Sequence, residues 1–267
     1  MFRPRIIPCL LLRNKGLVKT VKFRNARYIG DPMNAVRIFN AKQADELIFL
    51  DIDATSEKRQ LPLDLVEKIA DEAFMPFTVG GSISTIPQIR EVLSRGAEKV
   101  SINSHAILNP DFVSKAADVF GSSTIVVSID VRKKLFGGYE VYTHGGKKGT
   151  GLSPQNVACT MERMGAGELL INSIDREGTM EGYDLDLIQE VSNAVTIPVV
   201  ACGGAGELED FFAATREANA SAASAGSYFV YHGPRRAVLI NFPSQNELKS
   251  LFSSEEEVLR VKEHAFA

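Results

Sequence analysis

Two glycine steps and two hydroxyl- or amide-bearing steps are the places where this chain has the composition to hold anions. Gly80-Gly81-Ser82 and Asn103-Ser104 recur about 120 residues later as Gly203-Gly204 and Gly226-Ser227. Glycine lets a backbone approach an anion closely, while hydroxyls, amides and exposed N–H groups hold its oxygens. One GG pair need mean no more than a tight turn. The symmetric recurrence instead points to two phosphate sites and a ligand phosphorylated at each end. Asp130 closes the apolar run STIVVSID (123–130). Arg5, Glu46, Lys99 and Glu168 stand at the opposite ends of such runs.

These residues depend on a regular scaffold. Short apolar runs occur at 5–12, 46–52, 76–81, 98–103, 123–130, 167–174, 197–204 and 220–226. Between most of them lie helical patterns such as 61–73, 85–96 and 184–195. Nearly continuous apolar strands, each followed by a helix, make a parallel sheet buried on both faces. Eight such units predict an α/β chain with a single (βα)8 TIM barrel, whose active site lies at the C-terminal ends of the strands. The segment 137–151 breaks the rhythm and reads as a hairpin inserted after the fifth strand. The barrel is expected over 1–245, and the different-looking segment 246–267 as a C-terminal helix or tail.

The two halves match in order, defining half-barrel repeats of about 1–120 and 121–245. IIPCLLLR pairs with VVSIDVRK, ELIFLDID with ELLINSID, PFTVGGS with PVVACGG and AEKVSINS with ASAASAGS. Four matches in one order indicate repetition. The repeat sets Glu46 against Glu168, Asp53 against Asp175, and Asp130 against Leu11, a hydrocarbon.

Strand alternation puts Arg5, Ile7, Cys9 and Leu11 on one face, and Lys99, Ser101 and Asn103 on one face. If those faces point inward, two cations and two anions meet on the barrel floor and must pair. Charges also commonly flank strands in solvent, and the residues alone leave both readings open. Asp51, Asp53 and Asp175 at strand ends suit either structural acceptors or catalytic groups. Lys19 and Gly146-Lys147-Lys148 suit either anion contacts or solvated charge.

Bulk properties exclude several classes. The formal charge of −3 over 267 residues gives no electrostatic case for nucleic acid. The N-terminal apolar run stops at Leu12 and lacks a cleavage pattern, so no secretory signal is expected. No run reaches the roughly 18 apolar residues of a membrane span, and a cytoplasmic protein is expected. Cys9, Cys159 and Cys202 have neither disulfide nor metal spacing and read as small buried hydrophobes. His105, His144, His232 and His264 form no ligand set, so no metal is expected.

Taken together, RIIPCL, GDPMNAVRIFN, DELIFLDIDAT, PFTVGGSI, RGAEKVSIN, SIDVRK, GAGELLINSIDREGT, GYD and ACGGAG resemble the cyclase subunit of imidazole glycerol phosphate synthase, the HisF family, from Arg5 to about Phe229. The resemblance implies a HisH-like glutaminase docked on the barrel bottom. It implies ammonia crossing the interior to a bis-phosphorylated substrate, and two acid–base aspartates on strands 1 and 5. It implies no cofactor. By it, Arg5, Glu46, Lys99 and Glu168 become an ammonia gate and Glu98 a contact for the glutaminase. Gly81, Ser82, Asn103, Ser104, Gly178, Gly203, Gly204, Gly226 and Ser227 become phosphate ligands, and Asp130 the catalytic aspartate of strand 5. The chain departs from the pattern in three places: Leu11 replaces the strand 1 aspartate, Ser82 a third glycine, and Glu177 an aspartate before Gly178.

General acid–base catalysis needs a titratable group within reach, so cyclase activity is expected to be lost or weak. The segments 10–23 and 228–243 are similar to divergent cyclase-like proteins of bacterial surface-polysaccharide (lipopolysaccharide) pathways, where a separate amidotransferase makes acetamidino sugars. The leading expectation is therefore a subunit that passes ammonia from a glutaminase to a separate sugar amidotransferase. The alternatives are the histidine-pathway cyclase itself and a non-catalytic scaffold that activates a glutaminase.

Overall fold

The computed structural model describes residues 3–253. Eight parallel strands form the barrel: β1 (Arg5–Arg13), β2 (Leu47–Asp51), β3 (Phe77–Gly80), β4 (Lys99–Ile102), β5 (Ile125–Lys133), β6 (Glu168–Ser173), β7 (Val199–Cys202) and β8 (Ala222–Ala225). Each pairs with its neighbour in chain order, and β8 pairs with β1. The circle closes as β5 pairs with β6 from Val126↔Glu168 to Val131↔Ser173. This is the α/β TIM barrel that the run-and-helix rhythm predicts.

Two apolar layers hold it together. Between strands and helices lies the larger core, with Phe39, Phe49, Phe77, Phe211, Phe229 and Phe242 nearly or fully buried. Inside the barrel is a smaller cluster that includes Ile7, Cys9, Leu11, Ile48, Val126, Leu170, Val200 and Ala222. Strands buried on both faces have no polar side to show, so their sequences read as continuous apolar runs. The helices start where the sequence supplies caps. Asp31 accepts from the Met33 and Asn34 N–H groups, and Thr85 forms a capping box with Gln88.

The half-barrel repeat extends further than the sequence pattern discloses. β5 starts later than expected, after a 3-10 turn at Ser122–Thr124. It then runs on to form the first arm of the expected hairpin, pairing Lys133 with Tyr139. β1 does the same: Leu11–Arg13 pairs antiparallel with Gly16–Val18, and that strand pairs with Arg24–Gly30. This first hairpin was not anticipated.

A helix at Gln245–Phe252, capped by Ser244, buries Leu248 and Phe252 against the barrel. The remainder of the expected tail, 254–267, lies outside the described residues, as does His264. Among the described residues no helix is long and apolar enough to cross a membrane, and no three His, Cys, Asp or Glu side chains group as metal ligands. Cys9 and Cys202 are buried as expected, whereas Cys159 is only half-buried, its Sγ 3.4 Å from the Ala194 carbonyl.

Candidate active site

The four charges at the strand starts meet on the barrel floor. Arg5 donates to both Glu46 and Glu168. The Lys99 ammonium lies 3.1 Å from Glu46 and 3.0 Å from Glu168. Thr78 adds a hydroxyl 3.1 Å from Glu46. Both glutamates are buried, while Arg5 and Lys99 keep partial exposure on the underside. Two cations shared between two anions satisfy the desolvated carboxylates, which a single pair would do less completely. Above this floor the interior is lined by Ile7, Ile48, Val126, Leu170, Val200 and Ala222. The Ser101 hydroxyl in that interior has no hydrogen-bond partner among the described residues. Glu98 is exposed beside the ring and accepts from the Phe77 N–H at 2.8 Å.

At the other end a cavity of about 840 Å³ opens between the strand ends. Its lining includes Asp130, Leu11, and the expected anion residues from Gly81 and Ser82 through Gly226 and Ser227. Four carboxylates near the mouth are engaged with cations or backbone. Asp51 binds Arg59 through both oxygens, at 2.6 and 2.8 Å, and Asp53 binds Arg13. Asp175 accepts from the Lys133 N–H at 2.9 Å, and Glu177 faces the Lys19 ammonium at 3.2 Å. Asp130 is different. Its partner is the neutral amide of Asn103, at 3.1 Å. Burial pushes its carboxyl up to about 7, the nearby Glu177 charge adds to this, and the Asn103 bond opposes it. A group that titrates near neutrality in an open cavity is suited to give and take protons.

Leu11 is buried in the same mouth. The nearest thing to a second carboxylate is Glu177, which also accepts from the Thr20 hydroxyl at 2.9 Å and the Phe23 N–H. It is thus held by the first hairpin. Cys9 and Cys202 are both buried there, and the neighbouring Cys9 thiol together with burial pushes the Cys202 thiol well up.

The anion residues fall into two groups. Ser227 and Asn172 each bury a side-chain oxygen without a partner among the described residues. Gly226 gives the Lys19 ammonium room: a Cβ there would stand 2.2 Å from Nζ. Gly204 is in the left-handed region at φ +127°, with the Gly182 carbonyl 2.2 Å from where a Cβ would be. Ser104, by contrast, already accepts from the His144 N–H and donates to Asn103. Asn103 itself is committed to Ser128 and Asp130. Gly178 lines the cavity, but its carbonyl accepts from Arg236. Asn172, adjacent to Asp130 in the β5–β6 register, is the residue that sequence reasoning missed. The signal was a polar residue inside the run GELLINSI, at the register position that faces the mouth.

Residues 5–234 match the family described as histidine biosynthesis protein. The chain belongs to this family, among the HisF proteins. It is 47% identical over 253 residues to a protein of Leptospira interrogans provisionally named imidazole glycerol phosphate synthase subunit HisF, covering 94% of this chain and all of the relative. It is 46% identical over 248 residues to a Pseudomonas aeruginosa protein provisionally named subunit hisF2 of the same synthase, covering 93% and 99%. The imidazole glycerol phosphate synthase subunit HisF of Alkaliphilus metalliredigens is 46% identical over 232 residues, covering 87% and 92%. As a HisF-family barrel, the chain combines a charged floor with a mouth where Leu11 accompanies the buried Asp130, which has no cation partner among the described residues.

Proposed function

We propose that this HisF-family chain carries ammonia from a glutaminase docked on the barrel floor to an acceptor bound at the mouth, and does not itself close the imidazole ring efficiently. The observation that carries this reading is the mouth itself. Asp130 is free to exchange a proton, whereas Leu11 supplies hydrocarbon and Glu177 is tied to Lys19 and Thr20. The floor supports the conducting half of the reading, because the ring of Arg5, Glu46, Lys99 and Glu168 closes the bottom and must part for a small neutral molecule to pass. The acceptor in this reading is a separate sugar amidotransferase of surface-polysaccharide synthesis.

A second reading is ring closure in histidine biosynthesis. The names carried by the relatives favour it over a sugar pathway. So does the mouth's capacity for a doubly phosphorylated ligand, with unpartnered Ser227 and Asn172 oxygens and Lys19 at Gly226. In this reading Asp130 would act alone.

The test partitions ammonia. The glutaminase complex is supplied with glutamine and each acceptor in turn: the bis-phosphorylated ribulosyl substrate, or the sugar amidotransferase with its acetamido sugar. Ammonia is then measured free and in product. The proposal predicts transfer only with the sugar enzyme, and free ammonia or blocked transfer for Lys99→Ala. Product formation with the ribulosyl substrate at ordinary rates establishes the second reading. Transfer unaffected by Lys99→Ala refutes conduction and leaves a scaffold.

A further inference from the structure

The hairpin that extends β5 turns at Lys134–Gly138, where the Lys134 N–H donates to the Gly138 carbonyl at 2.9 Å. At its tip Leu135 and Phe136 are 97% and 103% exposed. The turn does not need them there, since Gly137 and Gly138 supply its left-handed positions at φ +93° and +74°. Neither side chain lines the mouth cavity, so a small molecule held there does not touch them. Scattered single apolar residues on a surface need no explanation, but adjacent fully exposed ones on a projecting tip mark a contact surface.

Their surroundings are basic. Lys133 and Lys134 flank the tip and are exposed. The second arm of this hairpin, Tyr139–Thr143, pairs onward to the exposed Lys148. Gly146 between them lies against Phe23 of the first hairpin, whose ring is 2.9 Å from where a Cβ would stand. The two hairpins therefore form one continuous rim, and the first adds exposed Lys22, Arg24 and Arg27 beside Tyr28, which is 66% exposed. Of the six Lys and Arg in residues 13–30, Arg13, Lys15 and Lys19 pair with Asp53, Asp64 and Glu177, which leaves Lys22, Arg24 and Arg27 without an acid partner among the described residues. The acids of this rim are already used: Glu140 accepts from the Gly151 N–H, and Asp175 from Lys133.

We infer that this rim docks an acidic protein with an apolar pocket for Phe136, and that this protein is the ammonia acceptor. The inference rests on the reading that ammonia leaves the mouth for a separate enzyme. A basic collar with an apolar anchor around the exit would seal the transfer from water, and complementary charge would orient the encounter.

The experiment uses the full chain in complex with its glutaminase, with an acetamido-sugar amidotransferase of surface-polysaccharide synthesis as the probe. Binding is measured by interferometry, and ammonia transfer as product per glutamine consumed. The Leu135→Ser/Phe136→Ser and Lys133→Glu/Lys134→Glu variants alter exposed side chains of the turn and of the adjoining end of β5 and keep the fold. Each is expected to weaken binding at least about tenfold and to lower transfer, with glutamine turnover unchanged. Native-like binding and transfer by both variants overturns the docking surface while leaving the functional reading intact. If the native chain neither binds the amidotransferase nor transfers ammonia to it, the functional reading fails and the docking proposal falls with it. Phe136-dependent sedimentation with phosphatidylglycerol vesicles, with transfer unchanged, overturns the proposal in favour of a membrane surface.

Discussion

Asp130→Asn should stabilise the protein, and by an amount that grows with pH. The unfolded chain releases this proton near 3.8, while the folded chain holds it to about 7 because of burial and the neighbouring Glu177. Between those values the folded state binds more protons, so stability falls as pH rises through the window. At 1.36 kcal/mol for each pKa unit, the raised pKa lowers stability by about 4 kcal/mol at pH 8, and by about 2 kcal/mol at pH 5, where only the unfolded chain has released the proton. Asparagine never ionises and can still accept from Asn103. The gain from Asp130→Asn should therefore be larger at pH 8 than at pH 5 by about 2–3 kcal/mol. Any constant cost of the substitution cancels in that difference. Urea unfolding of both proteins at both pH values measures it. Repeating the comparison in a Glu177→Gln background should shrink the difference, since one of the two causes is removed. A gain that is flat with pH, or larger at pH 5, refutes the view of Asp130 as a buried carboxyl without a cation.

Four further outcomes follow from the same geometry. Lys19→Met leaves Glu177 buried without its cation and should cost about 3 kcal/mol, the low end for a buried pair because the mouth admits water; thermal unfolding reads it as a drop of roughly 6–12 °C. Gly178→Ala places a methyl 2.2 Å from the Thr20 carbonyl at φ +75° and should destabilise by about 2–3 kcal/mol. Gly226→Ala, at an unstrained φ, puts a methyl 2.2 Å from the buried Lys19 ammonium and 3.0 Å from the Cys9 carbonyl; it must shift the cation paired with Glu177 and should cost about 1–2 kcal/mol in stability while weakening phosphate binding about tenfold by calorimetry. A larger drop in melting temperature for Gly226→Ala than for Gly178→Ala would contradict this ranking. Glu46→Ala leaves the Arg5 and Lys99 cations sharing Glu168, with underside water as partial relief, and should cost about 2–3 kcal/mol; unchanged stability would mean the ring is solvated in solution.

The barrel was legible because its signals are periodic and redundant. Strands buried on both faces need continuous apolar residues, amphipathic helical patterns lie between them, and the order of the strand runs recurs in the two halves. The first hairpin was not legible from periodicity, although β1 and β5 are repeat partners and the hairpin after β5 was read. GLVKTVKFRNARYIG mixes alternation with charge: its first strand pairs with β1 and buries Leu17 and Val18, while its second pairs with the first and is mostly exposed. The charges that meet on the floor were legible as four residues at strand starts, but whether they met or faced solvent was not, since that depends on barrel closure. Nor could sequence decide which mouth carboxylates are occupied. Asp51 and Arg59 are eight residues apart, but Glu177 and Lys19 are brought together only by the first hairpin folding over the mouth.

The central claim is that hydrocarbon at position 11 deprives the mouth of one proton-transfer group. Turnover of the bis-phosphorylated ribulosyl substrate by the purified chain with saturating ammonium salt tests it most directly, measured beside Leu11→Asp and an aspartate-bearing HisF protein. The native chain should run at least about 10²-fold below that protein, with Leu11→Asp recovering part of the loss. A native chain that closes the ring at the ordinary rate, unimproved by Leu11→Asp, contradicts the claim.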